Sequence, residues 1–259
     1  MKDRIQWHWF VWGKHPGMAD FVWAGTRSLL FQKFSKWVDN GFSKVDAPLK
    51  KKSRHCSWRF WSRGPSEEIV CGLVRNSCDS YGRSFPLLCL GAGKLADWPR
   101  NSSLLPFALE TVWKDFEYMA AARYESIRAL NDTLKLLKPP EPLWRQFQMR
   151  IYRAPNLYRQ DDFDMQVMDG NRLCRVECAL SENLPQDPSF CSNLVASTGN
   201  SGPIAVFIGE VGGRIAVAMI DDMLKPADFV WLWSMQAETK NNTETDRSDR
   251  IGKDRTNGI

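Results

Sequence analysis

Asn76-Ser77-Cys78-Asp79-Ser80-Tyr81-Gly82-Arg83-Ser84-Phe85-Pro86-Leu87 follows one apolar run, Ile69 to Val74, and leads into another that starts at its own Phe85 and ends at Leu90. Both runs are short and rich in β-branched or large apolar side chains, the composition of buried strands. The segment between them suits a turn, with Asp79 and Gly82 at the first and fourth positions that a type I turn prefers. Asp79 and Arg83 stand four residues apart in this tight connection. Either a charge-assisted pair locks the turn, or both groups face a partner. The sequence leaves both readings open.

Upstream, Ile5 to Val11 reads as an aromatic-rich first strand ending at Gly13. Gly13-Lys14-His15-Pro16-Gly17-Met18-Ala19-Asp20-Phe21-Val22 follows, and it lacks the paired glycines ahead of Lys-Ser/Thr that a phosphate-binding loop needs. From about Ala24, the residues Leu30, Phe34, Trp37, Val38 and Phe42 keep helical spacing, which predicts an amphipathic helix lying on a sheet. Ala47 to Arg54, with Pro48 and Lys50-Lys51-Lys52, reads as a solvated loop whose weaker alternative is a patch for an acidic partner. His55 to Trp61 reads as a strand, on which His55 and Cys56 point to opposite faces and form no base–thiol pair.

Downstream, Gly91 to Asn101 reads as a loop, with Ser102 or Ser103 capping a helix that has Pro106 in its first turn. Apolar residues from Leu109 to Leu137 recur at three- and four-residue steps, as one long helix or as two broken near Ala120-Ala121-Ala122. Lys138-Pro139-Pro140-Glu141-Pro142 marks a subdomain boundary, and a helix follows from Leu143 to about Tyr152. The acidic cluster Asp161, Asp162 and Asp164 lacks the glycine and distal glutamate of a calcium loop and reads as a solvated turn. Hairpins are expected at Gln166–Met168 with Arg172–Ala179, and at Ile204–Gly209 with Ile215–Ile220. A short helix begins at Pro226, and the polar stretch from Lys240 reads as disordered.

Composition narrows the class. Apolar content of 43% and charged content of 25% are ordinary for a globular protein, so neither a disordered nor a fibrous chain is expected. The net charge of +5 permits an acidic partner, but its Lys and Arg are spread out rather than gathered into a nucleic-acid stripe. Seven cysteines lack the regular spacing of a disulfide scaffold; Cys56, Cys71, Cys89, Cys174 and Cys178 sit in apolar contexts, which favours a reducing compartment. Cys174 and Cys178 share a strand face without a second ligand pair, so zinc is not expected. With no apolar leader at the N-terminus and no run of membrane-spanning length, a cytoplasmic protein without membrane insertion is expected.

Two of these stretches carry a family resemblance. Ser77-x-Asp79-x-x-Gly82-Arg83-x-Phe85-Pro86-Leu87 resembles the Pro-Ser-x-Asp-x-x-Gly-Arg-x-Phe-Pro-Leu core of the TagF/ImpM family, with Asn76 in place of the proline. Gly13-Lys14-x-Pro16-x-x-x-Asp20-Phe21-Val22 resembles the opening motif of the same family, with Met18-Ala19 in place of its Arg-Gly. Trp37, followed by Val38 and Asn40-Gly41, is similar to the family's tryptophan-centred helix.

The resemblance is best over residues 7 to about 90. It implies an α/β fold, a central mostly antiparallel or mixed sheet flanked by helices in a three-layer α/β/α sandwich. The expected division is an N-terminal α/β region (1–138), a C-terminal region packing on the same fold (139–239) and a polar tail (240–259). The resemblance further implies a non-enzymatic accessory protein of a bacterial type VI secretion system that restrains assembly of the apparatus after translation. Its implied partner is the system's forkhead-associated scaffold protein, with no cofactor, metal or nucleic acid. The rival reading is an α/β enzyme with Asp20, Asp79 and Arg83 in one cleft and His15 as base.

Overall fold

The computed structural model of the chain describes residues 6–52, 56–150, 163–168, 171–176, 203–211 and 214–236. Among the described residues, nine strands form one sheet: β1 (His8–Lys14), β2 (Phe21–Gly25), β3 (Ser57–Arg63), β4 (Ile69–Arg75), β5 (Leu87–Gly93), β6 (Phe163–Met168), β7 (Asn171–Val176), β8 (Ala205–Val211) and β9 (Arg214–Ile220). Their spatial order is β2-β1-β5-β4-β3-β8-β9-β7-β6, and every pairing is antiparallel. Helices α1 (Leu29–Lys44), α2 (Ala47–Lys52), α3 (Leu105–Ala121), α4 (Ile127–Leu136) and α5 (Glu141–Arg150) are joined by α6 over residues 226–236.

Strand alternation sorts the apolar residues into two cores, one on each face of the sheet. Val11, Cys71, Leu73, Cys89, Ile208 and Val217 point to one face, where α3, α4 and α5 add Leu109, Phe116, Leu130 and Trp144. Phe10, Val70, Val74, Leu90, Phe207 and Ala218 point to the other, under Phe34, Trp37 and Val38 of α1 and Phe229 and Trp233 of α6. This is the expected three-layer sandwich. Burial on both faces explains why β4 and β5 read as unbroken apolar runs rather than as alternating ones.

Several elements depart from the sequence reading. The first strand runs through Gly13 to Lys14, and Phe21–Gly25 is an edge strand where no strand was expected. The first helix therefore starts at Leu29, capped by Ser28 Oγ, which accepts from the Phe31 N–H. Ala47–Lys52 is a short helix rather than a loop, because Pro48 sits in a first turn, where its missing N–H costs nothing. The β5 strand extends to Gly93, and α3 is fed by a 3₁₀ segment, Trp98–Leu104, so neither Ser102 nor Ser103 caps it. The long helical pattern is two helices, broken at Ala122. His55, Asp161, Asp162, Cys178 and the stretch from Lys240 lie outside the described residues, as do the side chains of Asp164 and Cys174.

Candidate functional site

The two motifs meet at one rim of the sheet. Strand β1 lies between β2 and β5, with Gly13 opposite both Val22 and Leu87, so the loops 14–20 and 76–86 leave the sheet side by side. Gly13 is required there. Its φ is +120°, and a Cβ would stand 2.1 Å from the Pro86 carbonyl oxygen. The Lys14 N–H donates to that same oxygen at 3.4 Å.

Asp79 is the hub that ties the loops together. Its Oδ1 accepts from the backbone N–H groups of Tyr81 (3.1 Å) and Arg83 (2.9 Å), and the Gly82 N–H donates to its carbonyl at 2.9 Å. The expected turn is thus present, with Gly82 at φ +77°. Its Oδ2 accepts from Arg83 Nε at 2.7 Å and from Lys14 Nζ at 3.0 Å. The carboxylate is fully buried and Lys14 is nearly so. Burial alone would raise the Asp79 pKa, but the Arg83 N–H, then Lys14 and the Arg83 side chain, outweigh it and hold the pKa down at about 2.

The bridge continues through backbone oxygens. Ser80 N–H donates to the Met18 carbonyl at 2.8 Å, and Arg83 Nη2 donates to the Ala19 carbonyl at 2.9 Å. Any residue supplies a carbonyl, so Met18-Ala19 in place of the usual Arg-Gly leaves the bridge intact. Tyr81 and Phe21, 74% and 44% exposed, project at this corner. Arg83 packs over the Tyr81 ring at 5.4 Å and Lys14 over the Phe21 ring at 5.5 Å. Half-buried Phe85 supports Phe21 at 4.7 Å, with Trp12 at 5.4 Å and Phe42 at 5.2 Å from Phe85 behind it.

The remaining sequence candidates divide. Pro86 is buried beside Gly13, Pro16 is exposed at the same rim, and the Ser77 carbonyl accepts from the Phe85 N–H at 3.0 Å. Asp20 is exposed, and its Oδ1 accepts from the Phe21 N–H at 2.8 Å, so it serves the start of the edge strand. Trp37 lies elsewhere, in the core under α1, donating from Nε1 to the Lys225 carbonyl at 2.9 Å. Lys14 and Asp79 form an internal brace rather than an open surface or cleft with Asp20, because the two loops close over them. His15 is buried as well. Its Nδ1 accepts from the Gly17 N–H at 3.1 Å, which assigns the proton to Nε2, the donor to the Met119 carbonyl at 3.0 Å. Burial lowers its pKa, so the ring is a neutral backbone clasp.

Buried Cys71 and Cys89 have thiol pKa values pushed up to about 12 by burial, which keeps them protonated at neutral pH. The Lys14–Asp79 pair and the carbonyl bridges escaped sequence reasoning. Their one signal was the presence of both motifs in the same chain.

An all-antiparallel sheet with helices packed on both faces places the described residues in the class of three-layer α/β/α sandwiches. Residues 10–138 match the family described as the TagF N-terminal domain, Type VI secretion system-associated, and this part of the chain belongs to that family. The crystal structure of PA0076 from Pseudomonas aeruginosa PAO1 is similar in fold, with a TM-score of 0.50 and 17% identity over 87% of this chain and 94% of that one. No curated protein sequence matches the chain. Among the described residues, no helix is long and apolar enough to cross a membrane.

Proposed function

We propose that this chain is a non-enzymatic, cytoplasmic accessory protein of a type VI secretion system that restrains assembly of the apparatus after translation. It does so by binding the system's forkhead-associated scaffold protein, as the TagF/ImpM resemblance implies. The observation that carries this reading is the match of residues 10–138 to the secretion-associated TagF domain. The geometry of the corner is compatible with it. Phe21 and Tyr81 are exposed, each with a cation that Asp79 holds lying over its ring, and aromatic rings are among the side chains that most often anchor protein interfaces.

Calorimetric titration of the full-length chain with the purified scaffold protein tests the proposal. The wild type binds, and the Phe21→Ala/Tyr81→Ala variant, which removes only exposed rings, binds at least about tenfold more weakly. Absence of wild-type binding sinks the partner assignment. Binding that is unchanged in the variant moves the contact away from this corner.

A further inference from the structure

Beside the braced corner runs an open cleft of about 550 Å³, between α2 on one face of the sheet and the end of α3 on the other. Lys50, Lys51 and Arg75 contribute three cations to its lining, and Asn76, Ser77 and Ser84 add amide and hydroxyl groups. None of the described residues lining it is acidic. The carboxylate behind it, Asp79, is buried and already faces two cations, Lys14 and Arg83, so it does not cancel the field of the cleft. Low-dielectric walls around charges of one sign concentrate that field on whatever enters.

The wall is fixed in place. Lys50 rests its ammonium 4.7 Å above the Phe42 ring, Arg75 ends β4 opposite Leu87, and Ser84 Oγ donates to Asn76 Oδ1 at 3.3 Å. Gly82 lines the cleft and adjoins exposed Tyr81, so the mouth of the cleft is continuous with the aromatic corner.

From this placement we infer that the cleft is a docking site for an acidic segment of a protein, an extended stretch of Asp and Glu side chains laid along Lys50, Lys51 and Arg75. Cations spread along a cleft, with the Asn76 amide and the Ser77 hydroxyl between them as donors, suit several separate carboxylates. The inference rests on the reading that the chain acts by binding a protein, and it adds the chemistry of the bound segment.

The test uses the full chain and a fluorescein-labelled hexaglutamate peptide, followed by anisotropy at about 0.15 M salt, where nonspecific attraction between exposed charges is largely screened. The wild type is expected to bind the peptide. Lys50→Glu/Lys51→Glu should weaken binding by about tenfold or more, whereas the equal charge change Lys36→Glu/Lys94→Glu, at exposed positions elsewhere, should leave it within about twofold. Equal losses in both variants, or no binding by the wild type, would overturn the inference. Displacement of the peptide by millimolar inorganic phosphate but not by glutamate would also overturn it, in favour of a phosphate site. Calorimetry with the scaffold protein separates this inference from the functional reading. A wild type that binds the peptide through these lysines but ignores the scaffold keeps the cleft assignment and discards that partner.

Discussion

Gly13 and Asp79 carry the corner between them, one by having no side chain and the other by burying a charge. A Gly13→Ala chain must hold a methyl group against the Pro86 carbonyl at a φ that L residues rarely adopt, and should lose roughly 2–4 kcal/mol in denaturant unfolding. Asp79→Asn keeps an acceptor but leaves Lys14 buried without its counter-charge, and should lower the melting temperature clearly while preserving the fold. The wild type should show the linked pH effect. With the folded-state pKa held at about 2, the Asp79 contribution is complete above about pH 4 and is lost as pH falls through 2. Unfolding measured from pH 5 to pH 2 should therefore drop more steeply for the wild type than for Asp79→Asn, and parallel curves would contradict the brace. The Asp79–Arg83 pair was legible in the sequence because both residues share one turn. Lys14 was not, since its contact is made only when β1 pairs with β5.

Elements were legible where they repeat a period and opaque where an exposed edge or an adjoining segment decides. Helix α1 and strands β3, β4 and β5 follow their apolar patterns. The short edge strand β2 does not announce itself, since it pairs on one side alone and has the N–H groups at its two ends capped. The Phe21 N–H is taken by Asp20 and the Gly25 N–H by Asn131 Oδ1 at 2.7 Å, a protection that also blunts the edge against pairing with other chains. Packing between α1 and α6 rests on a second small residue. A Cβ at Gly41 would lie 2.4 Å from the Phe229 Cβ. At an open helix position Gly→Ala gains about 1 kcal/mol, but here overpacking should reverse the sign and give a net loss of about 1–2 kcal/mol. A more stable Gly41→Ala chain, measured by denaturant unfolding, would show that the two helices separate at little cost.

At the scale of the whole molecule, local hairpins were readable but strand order was not. Nothing in the sequence tells β1 to insert between β2 and β5, or β3 to pair with β8. The second pairing means that the unit that folds exceeds the matched stretch 10–138. Phe60 stacks on Phe207 at 5.0 Å, and Trp58 Nε1 donates to the Leu232 carbonyl at 3.1 Å. A chain ending at residue 150 should therefore lose its cooperative melting transition, with the aromatic face under α6 uncovered, and a sharp calorimetric transition from it would contradict a single cooperative unit. The most direct measurement of the functional claim is secretion of the tube protein by strains that lack or overproduce this chain. The account predicts that deletion raises secretion without changing the tube transcript and that overproduction abolishes it; unchanged secretion in both strains, with the apparatus expressed, would contradict it.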